Sequence, residues 1–294
     1  MQVDHKSIAR LITLLENTPE KAKEILSNLP RRTAPVIGFT GSPGVGKSTL
    51  IDQVIAKLRS SGKTVAVVAV DPSSPFSQGA FLGDRVRMKK HFLDDGVFIR
   101  SMASRGALGG LNESIYDVVE LFESVGFDYV LVETVGVGQA EVEVRYVADV
   151  VVLVLSPGFG DEMQLLKAGI MEIADIYVVN KADLVGTDSL YDQLVSFLTF
   201  AGRDVSSVVK TSALNAQGIE ELVNKITTLW EKFAETGKLK ELRKQRLKHH
   251  AENLARRTLQ KYLSLADLED PYEGVEAALR SMCERLKNGQ GGGT

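Results

Sequence analysis

Apolar positions fall into two patterns along this chain. From residue 36 onward, short Val-rich runs occupy 36–39, 65–70, 129–132, 150–155, 176–179 and 208–209. They lack polar alternation, so both faces of each strand they form should be buried. Most end in glycine or a polar loop, and a stretch of helical character follows. This alternation predicts an α/β fold, a mostly parallel central sheet with helices on both faces. Residues 97–100 are a candidate extra strand. Ahead of this region, residues 4–28 read as helix, with Asp4 as the cap and Ile8, Leu11, Ile12 and Leu15 on one stripe. Pro30 to Pro35 then interrupt the chain.

The pattern changes again after Gly237. Residues 237–263 read as a long polar helix whose narrow apolar seam runs through Leu239, Leu242, Leu247, Leu254 and Leu259. A shorter helix near 272–287 and a glycine tail expected to be disordered follow. The expected organisation is a helical arm over 1–35, a nucleotide domain over 36–236, a C-terminal helical region over 237–288, and a tail over 289–294. The narrow seam suits helix pairing better than a wide core face, so the C-terminal region is the expected dimerisation element.

Charge and composition narrow the function classes. Net charge is −3, which offers no general attraction to nucleic acid or an anionic membrane. The basic run 238–248 is interspersed with acids and reads as a solvated face. The single cysteine, Cys283, excludes an internal disulfide and a multi-cysteine metal site. The run 150–155 is far short of the ~20 residues that span a bilayer. The N-terminus lacks a charged-then-apolar signal pattern, so a cytoplasmic protein is expected. His5, His91, His249 and His250 are scattered and read as surface residues.

The first chemical motif is Gly41-Ser42-Pro43-Gly44-Val45-Gly46-Lys47-Ser48, followed by Thr49. It is a complete phosphate-binding loop between a strand and a helix. Its glycines let backbone N–H groups converge on phosphate oxygens, and the helix N-terminus adds its positive dipole end. Lys47 should reach the β- and γ-phosphates, and the Ser48 hydroxyl should take Mg2+.

The second motif is Asn180-Lys181-Ala182-Asp183, at a strand end. An Asp183 carboxylate can accept from guanine N1–H and the 2-amino group, and adenine offers neither donor in that arrangement. Lys181 can lie along the base, and Asn180 can tie this loop to the phosphate loop. Thr211-Ser212-Ala213-Leu214 follows the next strand, where the Ala213 N–H could donate to guanine O6. Together the motifs predict a guanine-nucleotide site.

Asp71, Asp84 and Glu133 are candidate acids for the magnesium centre, held directly or through water. Gly136 could turn its N–H toward a γ-phosphate. Gln139 is the nearby amide that could position water, and Arg85, Arg87, Arg105 and Arg145 are candidate charge stabilisers. No strong candidate completes the site, so slow intrinsic turnover and dependence on a partner are expected.

The segments VDPSSPFSQGAFLGDRVRM, SRGALGGL, VETVGVGQAEVEV, PGFGDEMQLLKAGIMEIADIYVVNKADL and TSALNAQGIEEL resemble the MeaB/ArgK/MMAA family over nearly the whole chain. The resemblance implies a SIMIBI-class GTPase that chaperones an adenosylcobalamin-dependent mutase, usually methylmalonyl-CoA mutase, gating cofactor loading and protecting or rescuing the enzyme. By the family pattern, Lys47, Ser48, Asp71, Asp84 and Glu133 lie at the phosphate and magnesium centre. Residues 134–146 match a second switch, and 157–167, with Asp161 and Lys167, match a third. The family's C-terminal helices form a homodimer. Two rival functions are a transport-associated ATPase or kinase of the ArgK type, and a metal-inserting GTPase.

Overall fold

A computed structural model describes residues 4–18, 21–71, 88–103, 114–134, 140–158, 169–263 and 270–287. Among these residues one sheet of seven strands forms, β1 (Val36–Thr40), β2 (Val65–Asp71), β3 (Val97–Ala103), β4 (Tyr129–Glu133), β5 (Val150–Leu155), β6 (Ile176–Val179) and β7 (Val208–Lys210). Their order is β3-β2-β4-β1-β5-β6-β7, and every pairing is parallel. The strand over residues 97–100 is therefore real, and it extends to Ala103 at the sheet edge.

The Val-rich runs alternate between two buried faces rather than between core and solvent. On β1, Val36 joins the apolar cluster beneath α1 (His5–Asn17), α2 (Ala22–Ser27) and α4 (Ile115–Val125). Ile37 and Phe39 join the cluster beneath α3 (Lys47–Ser60) and α8 (Ile219–Glu235). A third cluster joins β5, β6 and β7 to α6 (Ile170–Ile173) and α7 (Thr187–Phe200). The remaining α-helices among the described residues are α5 (Ala140–Glu143), α9 (Lys238–Leu263) and α10 (Pro271–Lys287). Among the described residues no helix is long and apolar enough to cross a membrane.

Residues 4–28 are not one helix. Asp4 caps α1 as expected, accepting from the Ser7 N–H at 2.9 Å. The helix stops at Asn17 because Thr18 precedes a proline, whose ring disfavours the α region for the residue before it. Thr18 accordingly sits at φ −132° and ψ 63°.

The basic run 238–248 is solvated at Lys238, Lys240, Lys244 and Lys248, but not at its two arginines. Arg243 and Arg246 of α9 reach Asp149, which directly precedes β5 and is fully buried, at 2.9 and 2.6 Å. The Asp149 carboxylate also accepts from the Val36 N–H and the Trp230 indole. Glu123 of α4 pairs with the same two arginines at 3.1 and 3.4 Å. Burial pushes the Glu123 carboxyl up, and the two guanidinium groups oppose that shift. Leu239 and Leu242, at the head of the seam, pack against the α3/α8 cluster, whereas Leu247 and Leu254 remain exposed.

The histidines also depart from expectation. His91 is buried 3.1 Å from Asp52 of α3. His249 stacks on Tyr146 with ring centroids 4.1 Å apart, and His250 stacks on Tyr116 at 4.9 Å.

Removing one partner of a buried ion pair leaves an uncompensated charge, at a cost of about 3–5 kcal/mol. The Arg246→Ala variant is therefore expected to lose several degrees or more of melting temperature. Ending the chain after Leu263 should leave a folded protein, whereas ending it after Gly237 removes both arginines and should not. Thermal melts of the three proteins check this. A wild-type melting curve for the chain ending at Gly237 would contradict it.

Candidate functional site

In a parallel sheet all the C-terminal strand ends lie along one edge, where open α/β folds place their ligands. Here β1 and β6 lead into the two predicted motifs, β4 ends in Glu133, and β7 leads into Thr211–Leu214. The phosphate loop leaves β1 at Gly41, whose φ is 136°. A Cβ there would strike the Val154 carbonyl, so the close approach to β5 requires glycine. Gly46 caps α3 in the left-handed region, and a Cβ on it would strike the Asn180 amide. Pro43 and Gly44 are exposed at the tip, Val45 is buried and Thr49 is half-buried.

Lys47 and Ser48 are the first two residues of α3, and both are buried. Lys47 Nζ donates to the Gly41 and Ser42 carbonyls at 2.6 and 3.1 Å, which curls the side chain back over the loop. Ser48 Oγ donates to Glu133 Oε1 at 2.7 Å. Glu133 is the last residue of β4 and is buried. A hydroxyl and a carboxylate placed together at the foot of the loop are hard oxygen donors, which suits Mg2+. Asp71 ends β2, opposite Ala103 in the β3 register, and only its backbone is described. Asp84, Gly136, Gln139, Asp161, Lys167, Arg85, Arg87 and Arg105 lie outside the described residues.

The base loop is tied to the phosphate loop through one side chain. Asn180 is buried, and its Nδ2 donates to the Val45 carbonyl at 2.9 Å. Its Oδ1 accepts from Thr211 Oγ1 at 3.0 Å and from the Ala213 N–H at 3.2 Å. The Ala213 N–H expected to serve guanine O6 is thus engaged by Asn180 in this structure. Lys181 stands at φ 61°, a left-handed conformation that costs a non-glycine residue energy and that the surrounding bonds enforce. Asp183 is exposed and accepts from the Ser212 hydroxyl, while Ser212 itself is buried. That hydroxyl, a backbone N–H and Lys181 hold the Asp183 carboxyl below the usual range. It is therefore fully ionised at neutral pH, an acceptor on both oxygens. Leu214 is 81% exposed beside this loop.

Two further features were not legible in the sequence. Arg145 is committed to Asp175, just ahead of β6, at the strand edge opposite the phosphate loop. That placement removes it from the charge stabilisers at the cradle. Glu141 of α5, by contrast, arrives beside the cradle. Its backbone carbonyl lies 3.5 Å from Thr40 Oγ1, on the residue before Gly41. Burial pushes the Glu141 carboxyl up, and the charge that opposes this is Lys47. The one sequence cue was its place, two residues after Gln139 in a run already assigned to a switch.

A sequence profile of the family described as "Methylmalonyl Co-A mutase-associated GTPase MeaB" matches residues 8–267. The chain belongs to the MeaB family. It is similar to an inferred GTPase of Pyrococcus abyssi, 48% identical over 259 residues that cover 85% of this chain and 80% of the relative. It is also similar to "Methylmalonic aciduria type A homolog, mitochondrial" of Caenorhabditis elegans, 34% identical over 249 residues that cover 81% of this chain and 62% of the relative. Among solved structures, one described as LAO/AO transport system kinase superposes with a TM-score of 0.64 at 25% identity, covering 96% of this chain and 94% of that one. HypB from Helicobacter pylori in complex with nickel superposes at 0.51 and 19% identity, covering 72% and 94%, a likeness of fold alone. As a MeaB-family member with a phosphate-loop fold, the chain is a GTPase.

Proposed function

We propose that this GTPase binds GTP and GDP with Mg2+ in the cradle just described, and that it gates adenosylcobalamin loading of an adenosylcobalamin-dependent mutase, methylmalonyl-CoA mutase or a relative, which it also protects or reactivates. The observation that carries the nucleotide assignment is Asn180. One buried amide joins the phosphate loop, the Asp183 loop and the Thr211–Ala213 segment, so base and phosphate recognition are built as one unit.

Each residue has a definite part in this reading. The loop N–H groups and Lys47 hold the phosphates, with Lys47 turning from its two carbonyls toward phosphate oxygen. Ser48 and Glu133, with Asp71 and Asp84, would hold Mg2+ directly or through water. The ion would supply charge neutralisation at the β- and γ-phosphate oxygens. Asp183 reads the guanine N1–H and 2-amino group, with Ser212 fixing the carboxylate and Lys181 lying along the base. Ala213 and Leu214 close the other side of the base. Gly136 senses the γ-phosphate and Gln139 positions water. Intrinsic turnover is slow and the mutase stimulates it.

A kinase or ATPase role in transport, suggested by the likeness to the LAO/AO transport system kinase at 25% identity, would require adenine to satisfy Asp183. Adenine lacks the donors that this carboxylate needs. The mutase assignment rests on the family match and its description. Homodimerisation is supported by apolar side chains left exposed on α9 and α10, among them Leu247, Tyr272 and Leu279. A pull-down from native cytoplasm, with GDP and with a GTP analogue, tests the partner. Recovery of no acyl-CoA mutase in either state would reject it.

Asp161 and Lys167 are proposed to relay the nucleotide state rather than to act in hydrolysis. Asp161→Ala and Lys167→Ala are expected to keep near-normal intrinsic GTP turnover and to lose most of the acceleration by the cognate mutase. Coupling energies of this kind are about 1–3 kcal/mol, or about 5–150-fold. Steady-state assays with and without the mutase decide it, and equal acceleration of mutant and wild type would exclude the relay.

A further inference from the structure

Strand β1 reads Val36-Ile37-Gly38-Phe39-Thr40, and Thr40 is its one polar side chain, fully buried. Side chains alternate along a strand, so Val36, Gly38 and Thr40 share the face opposite Ile37 and Phe39. The chain that follows α5 returns across that face. At Gly38 a Cβ would strike Val144, so the missing side chain is what admits the returning segment. At Thr40 the same face offers a hydroxyl, and a buried hydroxyl needs hydrogen-bond partners.

The partners of Thr40 belong to the two ends of one segment. The Thr134 hydroxyl, one residue past β4 and also buried, donates to Thr40 Oγ1 at 3.2 Å and to the Phe39 carbonyl at 3.4 Å. The Thr134 N–H donates to the same carbonyl at 3.1 Å. Thr40 Oγ1 donates in turn to the Glu141 carbonyl of α5 at 3.5 Å. Between these ends the sequence carries Gly136 and Gln139. On its other side Thr40 leads directly into Gly41, where the phosphate loop passes so close to Val154 that a Cβ would not fit.

We propose that Thr40 is a positioning residue for GTP hydrolysis: its hydroxyl ties both ends of segment 134–141 to the root of the phosphate loop, which sets Gly136 and Gln139 relative to the γ-phosphate. This rests on the nucleotide assignment proposed above and deepens it. Fixing both ends of a short segment removes conformations that would otherwise have to be lost at each turnover. Catalysis by positioning is steep, and a misplacement of about 1 Å can cost about 100-fold in rate. The phosphates are held by the loop N–H groups and Lys47 rather than by Thr40 Oγ1. Nucleotide binding should therefore depend on this hydroxyl far less than hydrolysis does.

The test compares two substitutions of the same residue. Thr40→Val keeps the β-branched shape and removes the hydroxyl, whereas Thr40→Ser keeps the hydroxyl and removes a methyl group. Single-turnover GTP hydrolysis and GDP affinity are measured with Mg2+ for both, alongside melting temperatures. Thr40→Val is expected to hydrolyse GTP about tenfold or more slowly, as a lost positioning contact should. Its GDP affinity should change by less than about threefold, and Thr40→Ser should stay within about threefold of the wild-type rate. A role in packing alone predicts the opposite order, because valine fills the site and serine leaves a cavity. Wild-type turnover in Thr40→Val, slower turnover in Thr40→Ser than in Thr40→Val, or a GDP affinity that falls as far as the rate would overturn the inference. If Thr40→Val melts early, Thr134→Val is read by the same two measurements, since its backbone bond to Phe39 remains. A wild-type protein that neither binds nor hydrolyses GTP would remove the nucleotide reading itself, a failure distinct from an unchanged rate.

Discussion

Lys47→Ala is expected to weaken nucleotide binding or GTP hydrolysis by tens-fold or more while leaving the fold intact. The Lys47 ammonium is buried and held over the loop by the Gly41 and Ser42 carbonyls. It is therefore already close to where a phosphate oxygen would sit, and little side-chain freedom is lost when it turns to meet one. A charge-assisted contact of this kind contributes about 1.5–3 kcal/mol, which is roughly 10–150-fold in affinity or rate. Stability should change little, because nucleotide or water can reach the two carbonyls once the side chain is gone. Turnover and affinity measured together with a melting curve check this. A folded variant that hydrolyses GTP at the wild-type rate would show that the cradle lies elsewhere.

The second large effect is expected at Asp183. Asp183→Asn should weaken guanine nucleotides by roughly a hundredfold or more and improve xanthine nucleotides. The carboxylate offers acceptors to two base donors, and hydrogen bonds to a charged group contribute about 1.5–3 kcal/mol each. An amide presents a donor at one of those positions, which clashes with guanine and suits the xanthine 2-carbonyl. Ser212, which now donates to the carboxylate, can donate equally to the amide oxygen, so the loop should keep its shape. Displacement of a fluorescent guanine nucleotide by GDP and by xanthosine diphosphate measures the swap. Unchanged GTP affinity with no gain for the xanthosine nucleotide would reject Asp183 as the base reader.

The sequence carried the features whose causes are local. Strands β5 and β6 occupy the residues their Val-rich runs mark, because burial on both faces leaves a continuous apolar signal. The phosphate loop and the Asn180–Asp183 tetrapeptide were legible for the same reason, since each works through contiguous residues. Even the Asn180 tie to the phosphate loop could be expected. What stayed hidden depends on partners far away in the chain. Asp149 meets Arg243 and Arg246 across 94 and 97 residues, so a helix that looks solvated in isolation is partly core. Leu239 and Leu247 share a seam in sequence, but only Leu239 finds a surface to cover. Glu141 reads as one acid among several, and only the placement of α5 brings its backbone beside Thr40, where β1 becomes the phosphate loop. The Ala213 N–H looked available because nothing nearby in sequence reveals that Asn180 claims it.

The central claim is a guanine-nucleotide site in which Asp183 and the phosphate loop act together. The most direct measurement is competition for a labelled GDP bound to the wild-type chain with Mg2+. GTP and unlabelled GDP should displace it, whereas ATP should need at least about a hundredfold higher concentration, since a site built to pair a substrate N–H discriminates strongly against its absence. Displacement by ATP at the same concentration as GTP would contradict the account.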